Sequence, residues 1–157
     1  MLSTATEATL PATLTASRIQ LNEAVGSKKK ALELLAEALA SADEELKQDD
    51  ILEALNAREK IGSTALENGI ALPHCRITEC KRPLSAILTL DEGIDFSARD
   101  GQPVNLLWAL IVPEQAEQAH LNLLAEIAGL LSDKGNCEQI RNASDTQTLY
   151  QRLFLQP

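Results

Sequence analysis

Apolar residues recur every three or four positions in the first third of the chain, then change period in its middle. In KKKALELLAEALA, residues 28–40, Leu32, Leu35 and Leu39 share one stripe, and Ser27 stands where a helix needs its N-cap. DDILEALNAREK, residues 49–60, repeats the pattern with Ile51, Leu52 and Leu55, with Asp49 or Asp50 as the cap, until Gly62 stops it. GSTALENG, residues 62–69, is built of turn formers, with Asn68-Gly69 the strongest signal. Residues 70–72 then predict a short strand ending at Pro73, which has no N–H for a ladder. SAILTL at 85–90 and VNLLWALIV at 104–112 predict two further strands; the second is apolar on both faces and so predicts a central position. Trp108 within it reads as a core filler. DEGIDFSARDGQP between them supplies turns and one short strand at 94–96, and Pro113 closes the buried strand. A helix is predicted from near Gln118 through HLNLLAEIAGLLSD, with Leu121, Leu124 and Leu131 on its stripe. A last helix covers DTQTLYQRLF, capped by Asp145.

Helices that precede, interrupt and follow strands predict an α/β fold, a sheet layered with helices. The chain has 157 residues, no internal repeat and no linker composition, so one domain is expected over residues 18–157. Residues 1–17, MLSTATEATLPATLTAS, are dominated by Thr, Ala and Ser and read as a flexible arm. With 45% hydrophobic but only 3% aromatic residues, Leu and Ala must fill the core.

Charge and cysteine usage narrow the function. A net charge of −9 argues against a nucleic-acid binder, and KKK at 28–30, the one basic run, reads as the solvated start of a helix. No apolar run approaches the roughly 20 residues that span a bilayer, so membrane insertion is not expected. Cys75, Cys80 and Cys137 form an odd set without framework spacing, which points to reduced thiols and a cytoplasmic location.

The chain has two histidines, and each alone admits a structural reading. His74 follows Pro73, which stiffens the backbone at the strand end, while His120 stands at the start of a helix. Upstream of His74 lie Arg58, Ser63, Thr64, Asn68 and Gly69. A guanidinium fork, hydroxyls and turn amides are donors suited to phosphate oxygens, and an imidazole among them is suited to carry a phosphoryl group. His74, Cys75, Cys80 and His120 lack the spacing of a metal site, so neither metal nor other cofactor is expected. Cys75 cannot pair with His74 as a nucleophile, because neighbours on an extended backbone point apart; a thiol there still raises the idea of redox control.

REKIGST followed by NGIALPH resembles the signature of the IIA component of the bacterial phosphoenolpyruvate-dependent phosphotransferase system, in its mannitol/fructose/nitrogen-regulatory superfamily. DFSARDGQPVNLLWALIVPE, HLNLLAEIAGLLSD and the closing helix continue the likeness over about residues 19–154, and GST with DGQPV is nearest the nitrogen-regulatory branch. The resemblance implies an α/β fold with a mixed sheet covered by helices on both faces. It implies that His74 is phosphorylated through Nε2, that His120 donates a hydrogen bond to the phosphoryl group, and that Arg58 neutralises its charge. Ser63 and Thr64 fall in the matching phosphate-binding loop. The implied donor is a small histidine-phosphorylated carrier protein (HPr-like). The implied output is phosphorylation-dependent control of target proteins such as transporters or sensor kinases, in nitrogen or potassium regulation. The alternative is a sugar-specific IIA component that passes phosphate to a permease IIB. Two features depart from the pattern: Cys75 where the family commonly has Gly, and ALE at 65–67 within a loop that is elsewhere richer in glycine.

Overall fold

The computed structural model describes residues 9–155. In chain order the elements are β1 (Ile19–Glu23), α1 (Lys28–Ala40), α2 (Gln48–Ile61), β2 (Ile70–Ala71), β3 (His74–Ile77), β4 (Leu84–Ile94), β5 (Val104–Pro113), α3 (Gln118–Leu131), α4 (Lys134–Arg141) and α5 (Thr146–Phe154). The strands form one mixed sheet in the order β1-β4-β5-β2, with β3 also on β5. β4 and β5 are antiparallel and the outer pairings are parallel. β5 is central, as its two-faced apolar run predicts.

Alternation along β5 sorts the core into two halves. Leu107, Ala109 and Ile111 face one side and pack with Leu32, Leu35 and Leu39 of α1 and Ile51 and Leu55 of α2. Leu106, Trp108 and Leu110 face the other, against Leu123, Ile127 and Leu131 of α3, Ile140 of α4 and Leu149 of α5. Helices therefore cover both faces of a mixed sheet.

Local signals explain the helix starts. Ser27 caps α1 by accepting from the Lys30 amide at 3.2 Å, and Asp145 caps α5 through the Thr148 amide at 2.9 Å. The expected acidic cap of α2 is corrected: Lys47 holds the N-cap position without a side-chain bond, and Asp49 and Asp50 lie in the first turn, where they meet the helix dipole. The helix predicted to run on from Gln118 stops at Leu131. Asp133 then caps α4 by accepting from the Gly135 and Asn136 amides, an element without enough apolar periodicity to be read.

Two strand expectations change, and a third is borne out and extended. β4 runs to Ile94, with a register irregularity against β5 between Thr89 and Ile94, and no separate strand forms at 94–96: Asp95 and Phe96 follow its end. β1 was not anticipated; IQLNE alternates, but with only two apolar residues it is too short to stand out from the arm. The third concerns the strand expected to end at Pro73. Register places Ile70 on Leu106, Ala71 on Leu107, His74 on Leu110 and Ile77 on Pro113 of β5, a constant offset throughout. β2 thus stops before Pro73, as expected, and β3 resumes beyond it on the same edge of β5 in the same register. Pro73 removes one donor from the ladder to β5, while its carbonyl still accepts from Leu110 N at 2.9 Å.

Of the arm expected over residues 1–17, residues 1–8 lie outside the described residues. From Leu10 onward the segment is packed, with Leu10 and Leu14 in the α3–α5 core. Tyr150 Oη donates to Pro11 O at 2.9 Å, and buried Arg18 donates to Thr13 O at 2.8 Å and Ser85 O at 3.0 Å. Leu10 and Leu14 were the anchors that the Thr- and Ala-rich composition concealed. Among the described residues no helix is long and apolar enough to cross a membrane.

Candidate functional site

Because β2 and β3 share one register, side chains on the edge strand alternate without interruption. Ala71, Cys75 and Ile77 belong with the α1–α2 core, while Ile70 and Leu72 belong with the α3–α5 core. His74 follows Leu72 on the latter side, half-buried at the sheet edge. The end of α2 brings Arg58 around that edge, and the start of α3 brings His120. His74, Arg58 and His120 line one open groove of about 520 Å³, with Ile61, Leu121 and Leu124 among its apolar walls. An adjoining hollow shares Arg58, His74 and Leu124 and adds Ser63 and Thr64. All five sequence-nominated residues therefore converge. Neither lining includes an Asp or Glu, although the chain carries a net charge of −9. The electrostatics around His74 suit an anion.

Leu121 and Leu124 were expected on the buried stripe of α3. The stripe is instead Leu123, Ile127 and Leu131, and Leu121 and Leu124 are turned toward His74.

Hydrogen bonds fix the two rings in opposite tautomers. His74 Nδ1 lies 2.8 Å from Leu72 O. A carbonyl only accepts, so Nδ1 carries a proton, and in the neutral ring the lone pair is on Nε2. His120 Nδ1 accepts from the Glu117 amide at 3.2 Å, which leaves the proton on Nε2 as a free donor. One ring thus offers a nucleophilic nitrogen and the other an N–H. Neither partner is visible in the sequence, because both are backbone groups.

Arg58 donates through Nη1 to Gly62 O at 2.7 Å, which steadies the guanidinium and leaves its other nitrogens for a ligand. Ser63 and Thr64 contribute differently from what hydroxyl donors to an anion require. Ser63 Oγ donates to Phe96 O at 2.5 Å and accepts from Ala65 N at 3.1 Å. Thr64 Oγ1 donates to Glu59 Oε2. Both hydroxyl protons are committed, so these side chains shape the loop beside His74. Behind them, Asn68 and Gly69 take positive φ of 67° and 80°, as their turn signal predicts. A Cβ at Gly69 would also be crowded, meeting Pro103 O at 3.2 Å and Arg141 Nη2 at 3.0 Å.

Cys75 is half-buried: it packs against the α1–α2 core and also borders the groove, and burial, with Cys80 nearby, pushes its thiol up to about 12. At pH 8 roughly 10⁻⁴ of it is thiolate, against about a quarter of a free cysteine. Iodoacetamide should therefore modify Cys75 in the folded protein on the order of 10³-fold more slowly than a free cysteine, with the rate rising tenfold per pH unit. Modification at the free rate, followed by mass spectrometry, would show an accessible thiol. A thiol held protonated does not favour the redox role its position beside His74 suggested. Among the described residues no three His, Cys, Asp or Glu side chains converge as a metal cluster.

The model of the family "Phosphoenolpyruvate-dependent sugar phosphotransferase system, EIIA 2" matches residues 12–155. A nitrogen regulatory protein of Pseudomonas aeruginosa is 46% identical over 138 residues, 88% of this chain and 90% of the relative. The crystal structure of nitrogen regulatory protein IIA-Ntr from Neisseria meningitidis superposes with a TM-score of 0.84 at 36% identity, covering 92% of this chain and 98% of that one. That of IIA mannitol from Escherichia coli gives a TM-score of 0.73 at 20% identity, over 89% and 98% of the two chains, and speaks for the fold alone.

Proposed function

Since the chain belongs to the EIIA type-2 family of the phosphoenolpyruvate-dependent phosphotransferase system, and so has a part in phosphotransfer, we propose that it works in the cytoplasm as a phosphocarrier that accepts a phosphoryl group on His74. The observation that carries this reading is the pair of opposed tautomers in one groove free of carboxylates. The donor is a small histidine-phosphorylated carrier protein of the HPr type, and the product is a regulator whose binding to target proteins depends on its phosphorylation. The relatives named nitrogen regulatory protein support that output over sugar uptake.

The transfer asks the protein mainly for in-line geometry and charge neutralisation. Nε2 of His74 attacks phosphorus as the nitrogen–phosphorus bond of the donor breaks. The attacking ring gains positive charge, which Leu72 O, already accepting from Nδ1–H, stabilises. His120 Nε2–H and the Arg58 guanidinium take the phosphoryl oxygens. A phosphoryl group adds about −1.5 to −2 charges at a surface rimmed by Ile61, which is 84% exposed, and a partner that packs on that rim must tolerate them.

The test is incubation with phosphoenolpyruvate, the general enzyme of the system and a candidate carrier, reading acid-labile phosphate on the protein. Loss of His120 removes one charge-assisted bond, about 1.5–3 kcal/mol. His120→Ala should therefore be labelled roughly 10- to 100-fold more slowly, or hold its label for less time, with some signal retained. Wild-type behaviour of that variant would dissolve the pairing of the rings. Discharge to a permease IIB that depends on a sugar would favour the uptake reading, and sugar-independent control of a transporter or sensor kinase the regulatory one.

A further inference from the structure

Ile51, Leu55 and Glu59 follow one another at spacings of four on α2, so Glu59 is a carboxylate on a buried stripe, its side chain only 5% exposed. It accepts from Thr64 twice, from the amide at 3.2 Å and from the hydroxyl. Its counter-ion is Lys28 at 3.0 Å, whose Nζ also lies 4.5 Å from the centroid of the Phe96 ring. The carbonyl of Phe96 takes the Ser63 hydroxyl. Lys28 is therefore not the solvated residue its place in a basic run suggests. The loop at 63–64 is gripped from two sides, by Glu59 and by Phe96, and both are held by one lysine.

From this grip a chain of hydrogen bonds leads to each working group. Thr64 O accepts from Leu72 N at 3.0 Å, and Leu72 O accepts from His74 Nδ1 at 2.8 Å. Two residues before Thr64, Gly62 O holds Arg58 Nη1. We propose that Glu59, with Lys28 as counter-ion, is a positioning residue that sets the His74 tautomer and the Arg58 guanidinium by anchoring Thr64. The inference rests on phosphorylation of His74 as read above. A buried ion pair is weak evidence for stability, since apolar replacements of similar volume are often neutral. Glu59 also has more to satisfy than Lys28, because it closes two Thr64 donors that would otherwise be buried without partners.

Replacement of both charges together tests positioning apart from folding. Lys28→Met with Glu59→Leu should keep the far-ultraviolet circular dichroism of wild type. Its labelling kcat should fall about 10- to 100-fold, the scale of a displacement near 1 Å, with KM for the phosphorylated carrier unchanged because the docking surface is untouched. Nitrogen-15 spectra of the histidines should show His74 passing from the single Nδ1–H form to a mixture of tautomers. Thr64→Val, which alters no charge, should move rate and spectrum the same way, and Glu59→Gln, which keeps an acceptor for one of the two Thr64 donors, should fall between that variant and wild type. Wild-type kcat and a wild-type His74 spectrum in Thr64→Val, or in the folded double variant, would overturn the proposal. A fall in rate with an unchanged tautomer would overturn its His74 half and leave Arg58 as the group positioned. Should wild type take no label at all, the phosphorylation reading fails, and the tautomer comparison alone still decides the role of Glu59.

Discussion

His74→Ala will take up no acid-labile phosphate from a phosphorylated carrier, a fall of at least about 10³-fold, because the covalent intermediate disappears with its nucleophile. Neither neighbour can substitute. Cys75 borders the groove but stays a thiol, its pKa raised by burial to about 12. His120 carries its proton on Nε2, and its lone pair on Nδ1 is engaged by the Glu117 amide. The variant should fold: the side chain is half-buried at an edge, and the backbone of His74 keeps its register with Leu110. Circular dichroism of the variant guards against the trivial explanation. Label retained at the wild-type level would move the phosphorylated atom elsewhere and remove the basis of the mechanism.

How far the sequence reached depends on which kind of group carries each feature. Side-chain periodicity carried the layers: α1, α5, the central β5 and the apolar stripe of α2 were all legible, because burial there is written in Leu, Ile and Val at helix or strand spacing. Short or polar elements were not. β1 offers IQLNE and α4 offers KGNCEQIR, and in both the tertiary neighbours supply the order that the local pattern lacks. Pro73 does end β2, as its missing donor predicts, but that β3 resumes beyond it on the same edge and in the same register is a property of the whole sheet.

At the site, His74, Arg58 and His120 were legible through their residue types and the motif, and the structure adds that they share one groove. What decides their chemistry is hidden from residue types, since Leu72 O and the Glu117 amide could belong to any amino acid. Glu59 was the exception. A carboxylate four residues after Leu55 on an apolar stripe is a sequence-level oddity, and it could have been followed.

Trp108→Ala will cost about 3–5 kcal/mol, a large share of the ~5–15 kcal/mol that holds a typical domain together. The side chain is 0% exposed, and it meets Phe154 of α5 edge-on with ring centroids 6.3 Å apart. Removing the indole leaves a void between β5 and α5 that rigid strands cannot close, so the transfer and cavity terms add. Trp108→Phe should behave very differently. The Trp108 Nε1–H is buried with no hydrogen-bond partner among the described residues, a state that costs about 1–3 kcal/mol. Phenylalanine discards that donor while keeping one ring against Phe154, so the relief offsets much of the smaller cavity, and the net loss should stay under about 1.5 kcal/mol. Urea denaturation followed by circular dichroism compares the three proteins on one signal; the chain's single tryptophan gives a second, fluorescent probe for wild type alone. Equal losses for Trp108→Phe and Trp108→Ala would show that the indole N–H has a partner after all. A loss below 1 kcal/mol for alanine would mean that β5 and α5 can close on each other, and the packing of the α3–α5 layer against the sheet would need to be drawn again.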